Sequence, residues 1–179
     1  MYQGTNKIAL ASKRQITETF LTLLKQQAFA DISISLICRE AQVSRQTFYS
    51  LFQSKENIIL DILKEQTIFA LDTVKDSKIL DLNFFCAKYS FYLKGNTSFL
   101  KLLDSQHILY LIYENIYQEL CQAQYFLPQI NTLDRDYIAS FMASAFMGIT
   151  NSYIKTNGRQ SQTELAQKML QLFQGNYLK

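Results

Sequence analysis

Residues 33–59 read SISLICREAQVSRQTFYSLFQSKENII, and serines divide this stretch into short segments. Ser33, Ser44 and Ser54 each precede apolar residues at helical spacing, where a serine hydroxyl can accept an N–H of the first helical turn. The spacing predicts short helices over 34–41 and 45–52, joined by a turn at 42–44. A longer helix is predicted upstream, from about Ser12 to Gln27. Two short helices joined by a tight turn after a longer one form a helix-turn-helix.

The second short helix carries side chains that can read DNA. In a helix-turn-helix this helix protrudes, so its N-terminal residues reach base edges in the major groove. Arg45 and Gln46 suit guanine and adenine edges. Ser44, Thr47 and Tyr49 suit phosphate oxygens, as does Lys55 at the start of the next helix. The competing interpretation is ordinary surface chemistry on a small helical bundle.

The same stretch resembles the DNA-binding head of the TetR family of bacterial transcriptional regulators, and the resemblance extends over about residues 12–66. The positions that match the family pattern are Ser33, Ile37, Ala41, Val43, Ser44, Thr47, Phe48, Tyr49, Phe52, Lys55 and Glu56. The resemblance implies a ligand-responsive regulator, most simply a repressor, that binds a palindromic double-stranded operator as a homodimer. It also implies a set of DNA contacts: Lys13, Arg14, Ser33, Ser35, Ser44, Arg45, Gln46, Thr47, Phe48, Tyr49 and Lys55.

Three positions depart from the family pattern. The usual turn glycine is Gln42, so this residue must avoid or tolerate a left-handed backbone conformation. The frequent histidine after Tyr49 is Ser50, and Gln46 stands where a small residue is common. These departures leave the operator sequence open.

The composition favours long helices throughout. The chain has 179 residues, 48% of them hydrophobic, with one proline and five glycines, too few for a fold rich in turns. We expect an all-α fold of about nine helices. Residues 1–54 would form a helix-turn-helix DNA-binding head, a helix from about residue 55 would link it to the rest, and 55–179 would form a helical ligand-binding and dimerisation domain.

The positive charge lies in the expected head. Residues 1–54 hold six basic and three acidic residues, whereas 55–179 hold equal numbers of each. An excess confined to one region points to an anionic partner there. The three cysteines suit neither a disulfide framework nor a zinc site, and no membrane span or secretory signal is evident, which fits a reduced cytoplasmic protein.

The expected helices after residue 67 run from about Ile79 to Lys94, Ser105 to Phe126, Asp134 to Lys155, and onward from a capping box at Ser161. A short helical piece is expected near Leu100, and Gly95-Asn96 is expected to stop the preceding helix in a left-handed conformation. By family resemblance the last two helices pair with those of a second subunit. The candidate dimer residues are Phe141, Ala145, Gly148, Ile149, Ser152, Leu165, Met169, Leu172 and Phe173. The alternative is that these stripes close the core of one subunit.

Aromatic residues concentrate in the expected body, where the family usually has a small-molecule pocket. The candidate ligand contacts are Phe85, Tyr89, His107, Tyr110, Tyr113, Tyr117 and Phe146. Tyr110, Tyr113 and Tyr117 recur at i, i+3 and i+7, which predicts one helix face. The alternative is an aromatic core or dimer surface.

No enzyme is predicted. A phosphate-binding loop, a dinucleotide fingerprint and paired catalytic carboxylates are all missing from the sequence, and no cofactor or metal is expected. His107 with Asp104, or with Cys86 or Cys121, is the weak enzymatic alternative. The stronger competing function is a protein-interaction module that keeps this fold without binding DNA.

Overall fold

The computed structural model describes residues 7–66, 68–69, 71, 80–123, 127–128 and 130–175, and in these ranges the chain is all-α. The helices are α1 (Lys7–Leu24), α2 (Ile34–Glu40), α3 (Arg45–Leu51), α4 (Lys55–Glu65), α5 (Leu82–Gly95), α6 (Thr97–Ser105), α7 (Leu111–Gln122), α8 (Thr132–Lys155) and α9 (Gln162–Phe173). A 3₁₀ turn, Phe29–Asp31, follows α1. Ile79, Tyr125 and Phe126 lie outside the described residues.

Helices α1, α2 and α3 pack on one another and are called the head below. Phe20 of α1, Ile37 of α2 and Phe48 of α3 are all fully buried between them. Ser33, Ser44 and Ser54 accept N–H bonds from Leu36, Thr47 and Asn57, which confirms all three predicted helix starts.

Helices α5 to α9 form the body, in which α5 packs on α9 and α7 packs on α8. Its centre is an aromatic cluster of Phe69, Phe85, Tyr89 and Phe146. The fully buried Tyr89 hydroxyl pairs with Thr150 Oγ1 at 2.6 Å. Helix α4 packs on α7 and lies between head and body.

Two predicted features of the body are wrong. The helix expected from Ser105 to Phe126 is interrupted at 106–110, where His107 takes a left-handed φ of 58° and turns the chain between α6 and α7. Helix α5 does end at Gly95, but Asn96 has a φ of −117°. There is no left-handed stop at that point, because α6 begins at once with Thr97.

The predicted stop after α8 and the predicted capping box at the start of α9 are both confirmed. After α8, Asn157 and Gly158 have φ values of 57° and 64°, and the Gly158 N–H donates to the Tyr153 carbonyl. Ser161 and Glu164 form the predicted capping box. The Ser161 backbone N–H donates to Glu164, which lowers the pKa of that carboxyl.

Within the described ranges, no helix combines the length and hydrophobicity that crossing a bilayer requires.

Candidate nucleic-acid interface

Helix α3 presents a polar face outward and an apolar face inward. Arg45 and Gln46 are exposed, and Tyr49 is 54% exposed. On the opposite side Phe48 and Leu51 are buried in the head. Residues four apart lie on one side of a helix, so Arg45 and Tyr49 form a continuous outward face.

The serines and threonine around this face are engaged locally. Ser44 Oγ accepts from the Thr47 N–H at 2.9 Å and lies 2.8 Å from Thr47 Oγ1. Ser33 accepts from the Leu36 N–H at 3.1 Å. Arg45 Nη2 donates to Ser35 Oγ, which ties the front of α3 to α2. Among the described residues one of its five donors is used, so the guanidinium keeps N–H groups for another partner.

Phe48 belongs to the core of the head. Its side chain has no exposed surface, and its ring packs edge-on against Tyr49 at 5.6 Å between centroids. The expectation that Phe48 contacts DNA is therefore corrected: it supports Tyr49 from below.

Lys13 forms an ion pair inside the molecule. Its Nζ lies 2.6 Å from Asp61 Oδ2 and 3.0 Å from Glu65 Oε1, so α1 is tied to α4. Burial alone would lower the pKa of Lys13, but the hydrogen bonds and charges of the two carboxylates outweigh it and raise that pKa. Lys13 is thus engaged within the chain and its expected DNA contact stays a prediction, whereas Arg14 is 81% exposed and pairs only loosely with Glu18, at 3.5 Å.

Lys55 is also occupied. Its ammonium donates to the carbonyls of Phe29, Ala30 and Ile32 and lies 4.2 Å from the centroid of the Phe29 ring. An ammonium has three donors, and three carbonyls take them. In this structure the side chain fastens the start of α4 to the head, and the expected phosphate contact of Lys55 stays a prediction.

Sequence reasoning missed Asp61, the acidic partner of Lys13. Asp61 is 4% exposed and stands among the apolar residues of α4. A carboxylate at a buried helical position signals a cationic partner, because burying an unpaired charge is costly. That signal was present in the sequence, although the identity of the partner was not.

Gln42 adopts the left-handed conformation that the missing glycine would favour, with φ at 51°. The Val43 N–H donates to the Cys38 carbonyl at 3.0 Å, which closes the turn. The turn therefore keeps its geometry at the cost of strain in a side-chain-bearing residue.

Gln42→Gly should stabilise the chain by about 0.5–1 kcal/mol, since relief of left-handed strain exceeds the added entropy of the unfolded chain. The measurement is the urea midpoint of unfolding. Gln167→Gly, in the exposed interior of α9, is the control and should destabilise by roughly 0.5–1 kcal/mol. A lower midpoint for Gln42→Gly would contradict the strain at this turn.

The structure divides the expected ligand residues among three places. Phe85, Tyr89 and Phe146 belong to the buried aromatic cluster. Tyr113 and Tyr117 stack on α7 with their rings 6.0 Å apart, and their hydroxyls contact Ser140 and Asp136 of α8.

The remaining two, His107 and Tyr110, are exposed and line a groove of about 650 Å³ between body and head. Tyr110 precedes α7 as its N-terminal cap, so the expected three-tyrosine face is reduced to two residues.

The described part of the chain holds no candidate metal cluster. No group of three or more His, Cys, Asp or Glu side chains in these ranges is placed to hold a metal ion. Burial raises the pKa of the Cys38 thiol, and raises that of Cys86 to about 11. Burial thus disfavours the reactive thiolate form at both positions. Cys121 is exposed.

The expected dimer residues line one groove. It measures about 480 Å³ and runs between α8 and α9. Seven of the residues that line it are candidate dimer residues from the sequence: Ala145, Gly148, Ile149, Ser152, Leu165, Met169 and Leu172. Phe141 is 65% exposed beyond it, and Phe173 packs against both Phe141 and Phe146.

These features define a helix-turn-helix protein with a separate helical body. Residues 16–62 match the family described as bacterial regulatory proteins, tetR family, and residues 88–175 match the one described as transcriptional regulator C-terminal region. The chain belongs to the TetR family of transcriptional regulators.

Two comparisons extend over most of the chain. The HTH-type dhaKLM operon transcriptional activator DhaS of Lactococcus lactis subsp. lactis (strain IL1403) is 24% identical over 156 residues, covering 83% of this chain and 82% of that protein. A solved structure of the dihydroxyacetone kinase operon activator DhaS has a TM-score of 0.50 at 21% identity, covering 92% of this chain and 95% of that one. The structural likeness shows the fold.

Proposed function

We propose that this regulator binds a palindromic DNA operator as a homodimer, reads it with α3, and responds to a small molecule held in its body. The observation that carries the proposal is the outward face of α3, where Arg45, Gln46 and Tyr49 project from a helix whose other side is buried. Arg45, Gln46 and Thr47 are the proposed base-reading residues. Ser33, Ser35, Ser44, Tyr49 and Arg14 are the proposed phosphate contacts. The proposed boundary between head and ligand-binding domain stays at 54/55.

A homodimer is supported by the outward side of α8. Leu133, Tyr137 and Phe141 recur every four residues and are each about two-thirds exposed, and Gly148 continues the same side into the groove. A row of large exposed apolar side chains favours burial against a partner. A two-fold axis along this side would cover the rows of both subunits at once and present two α3 helices to adjacent turns of DNA.

A small-molecule effector is supported by the interior of the body. The Tyr92 hydroxyl is buried and has no hydrogen-bond partner among the described residues. Burial raises the pKa of this phenol, which therefore stays a neutral donor. A buried donor without a partner favours an acceptor group brought by a ligand.

We propose that DNA binding represses transcription in the bacterial cytoplasm and that the effector releases it. The relative DhaS is named an activator, so the sign of regulation needs its own measurement. A promoter fusion carrying the recovered operator should lose expression when this protein is produced. A gain of expression would replace repression with activation and leave the DNA-binding proposal intact.

The first test is a gel-shift selection from random duplexes at two salt concentrations. A recovered palindrome with steep salt dependence is expected, because phosphate contacts release counterions. Absence of an enriched site at the lower salt would instead favour the protein-interaction module that lacks direct DNA binding.

Arg45→Ala should weaken binding to the selected operator by about 1–3 kcal/mol and relax the preference at one base position. Arg39→Ala is the matched control, because Arg39 is exposed on α2 and its Nε lies 2.9 Å from Glu40. Titrations against the operator and its single-base variants measure both effects. Equal losses on every sequence for Arg45→Ala would show that Arg45 contacts only phosphate.

A further inference from the structure

We infer that Gln106 fixes the orientation of the head on the body and thereby sets the distance between the two α3 helices of the dimer. This role rests on the proposed function. Gln106 is a positioning residue: it acts through the backbone of the head.

The carboxamide of Gln106 makes two hydrogen bonds to the head. Its Nε2 donates to the Leu24 carbonyl at 2.8 Å, and its Oε1 accepts from the Phe29 N–H at 2.7 Å. Leu24 ends α1 and Phe29 begins the 3₁₀ turn, so the two bonds hold both ends of the segment that leads from α1 toward α2. Because the planar amide is hydrogen-bonded through both its nitrogen and its oxygen, it restricts rotation of the head relative to Gln106 as well as the distance between them.

Gln106 is itself held firmly by the body. It directly follows α6, and its own N–H donates to the Leu102 carbonyl at 3.1 Å. The left-handed His107 then turns the chain away, and the Ile108 N–H donates to the Leu103 carbonyl at 3.0 Å. Helix α6 packs on α8, the helix of the proposed dimer groove. A movement of α8 would therefore displace Gln106 through one packed helix, α6.

Phe29, which Gln106 holds through its N–H, is also held by α4. The Phe29 carbonyl accepts from Lys55, while its N–H donates to Gln106. The Phe29 ring packs edge-on against the fully buried Phe20 of α1, with centroids 6.2 Å apart. A shift of α6 relative to α4 therefore acts on Phe29 and, through Phe20, on the core of the head.

The test compares the full-length protein with Gln106→Leu, which removes both bonds at similar size, and Gln106→Glu, which keeps only the acceptor. Gln118→Leu is the control, because Gln118 is exposed on α7 and donates only to Glu114 of its own helix. The first readout is hydrogen exchange of the Phe29 amide by NMR. Exchange should be about tenfold faster in Gln106→Leu, less affected in Gln106→Glu, and unchanged in the control.

The second readout is binding to the selected operator and to versions with one base pair added or removed between half-sites. Each base pair turns the second half-site by roughly a tenth of a turn, so a rigid dimer discriminates strongly between spacings. Gln106→Leu should reduce the wild-type discrimination by about tenfold, with weaker binding at the preferred spacing. A merely structural role would lower affinity at all spacings alike.

The outcomes separate the two proposals. A wild-type protein that binds no duplex refutes the proposed function, and the DNA part of this inference with it. Binding with an unchanged spacing profile in Gln106→Leu overturns the positioning role alone. If the Phe29 amide of the wild type shows no protection from hydrogen exchange, the Gln106 hydrogen bonds do not form in solution.

Discussion

Lys13→Met should lower the free energy of unfolding by about 3–5 kcal/mol. The substitution keeps most of the side-chain volume but removes the ammonium, and leaves the Asp61 carboxylate buried without its cation. Lys13 is 17% exposed on its side chain and Asp61 is 6% exposed on its own, so solvent compensates little. Urea unfolding monitored by circular dichroism measures the loss.

The neighbouring Arg14→Met is the matched control. Its partner Glu18 lies four residues away at 3.5 Å, and both side chains are largely exposed, so the cost should stay under about 1 kcal/mol. The double variant Lys13→Met with Asp61→Leu should recover most of the loss, because no unpaired charge then remains. Equal costs for Lys13→Met and Arg14→Met would show that the Lys13 pair is not buried in solution.

The pH dependence of this pair has a definite sign. The pKa of Lys13 is raised above the usual lysine value of 10.5, so the ammonium adds stability that is fully present below pH 10.5. This stability is lost as pH rises through the higher folded value. The stability advantage of the wild type over Lys13→Met should therefore shrink above pH 10.5, and an advantage that grew there would contradict the pairing.

Gly148→Arg should raise the dissociation constant of the proposed dimer by two to three orders of magnitude, equivalent to about 3–4 kcal/mol. A Cβ at Gly148 meets nothing within 4 Å, so the monomer should fold normally. The guanidinium would occupy the groove between α8 and α9 and be buried without a partner on association. Sedimentation velocity over a range of concentrations measures the dissociation constant.

Gly95→Arg is a matched control for this substitution. Gly95 also has open space around its Cβ, but it is an exposed residue at the end of α5 and does not line the groove. It should leave association unchanged. If Gly148→Arg remains a dimer with wild-type affinity, the two subunits associate through another surface.

The sequence predicted local features well because their causes are local. Ser33, Ser44 and Ser54 cap helices through N–H groups three residues ahead, and the capping box at Ser161 works in the same way. The strain at Gln42 was likewise visible from the absence of a glycine. The polar side chains of Arg45, Gln46 and Tyr49 indicated the outward face of α3, but Phe48 was expected on the same face and is buried.

Features that depend on distant partners could not be predicted in this way. Lys55 donates to carbonyls 23 to 26 residues earlier in the chain. Lys13 pairs with Asp61, which lies 48 positions later. The helix expected from Ser105 to Phe126 breaks where Gln106 reaches the head, across 77 and 82 residues. The periodicity of apolar residues continues through such a break. It shows which side of each helix faces the core, but not which distant residues the helix contacts.

The distribution of the three cysteines makes the chain suitable for site-specific labelling without mutagenesis. Cys38 and Cys86 are buried, whereas Cys121 is exposed near the end of α7. A maleimide spin label or fluorophore should therefore attach at one position per subunit. In a two-fold dimer the two labels form a symmetric pair whose separation reports directly on movement of α7 when an effector or an operator is added.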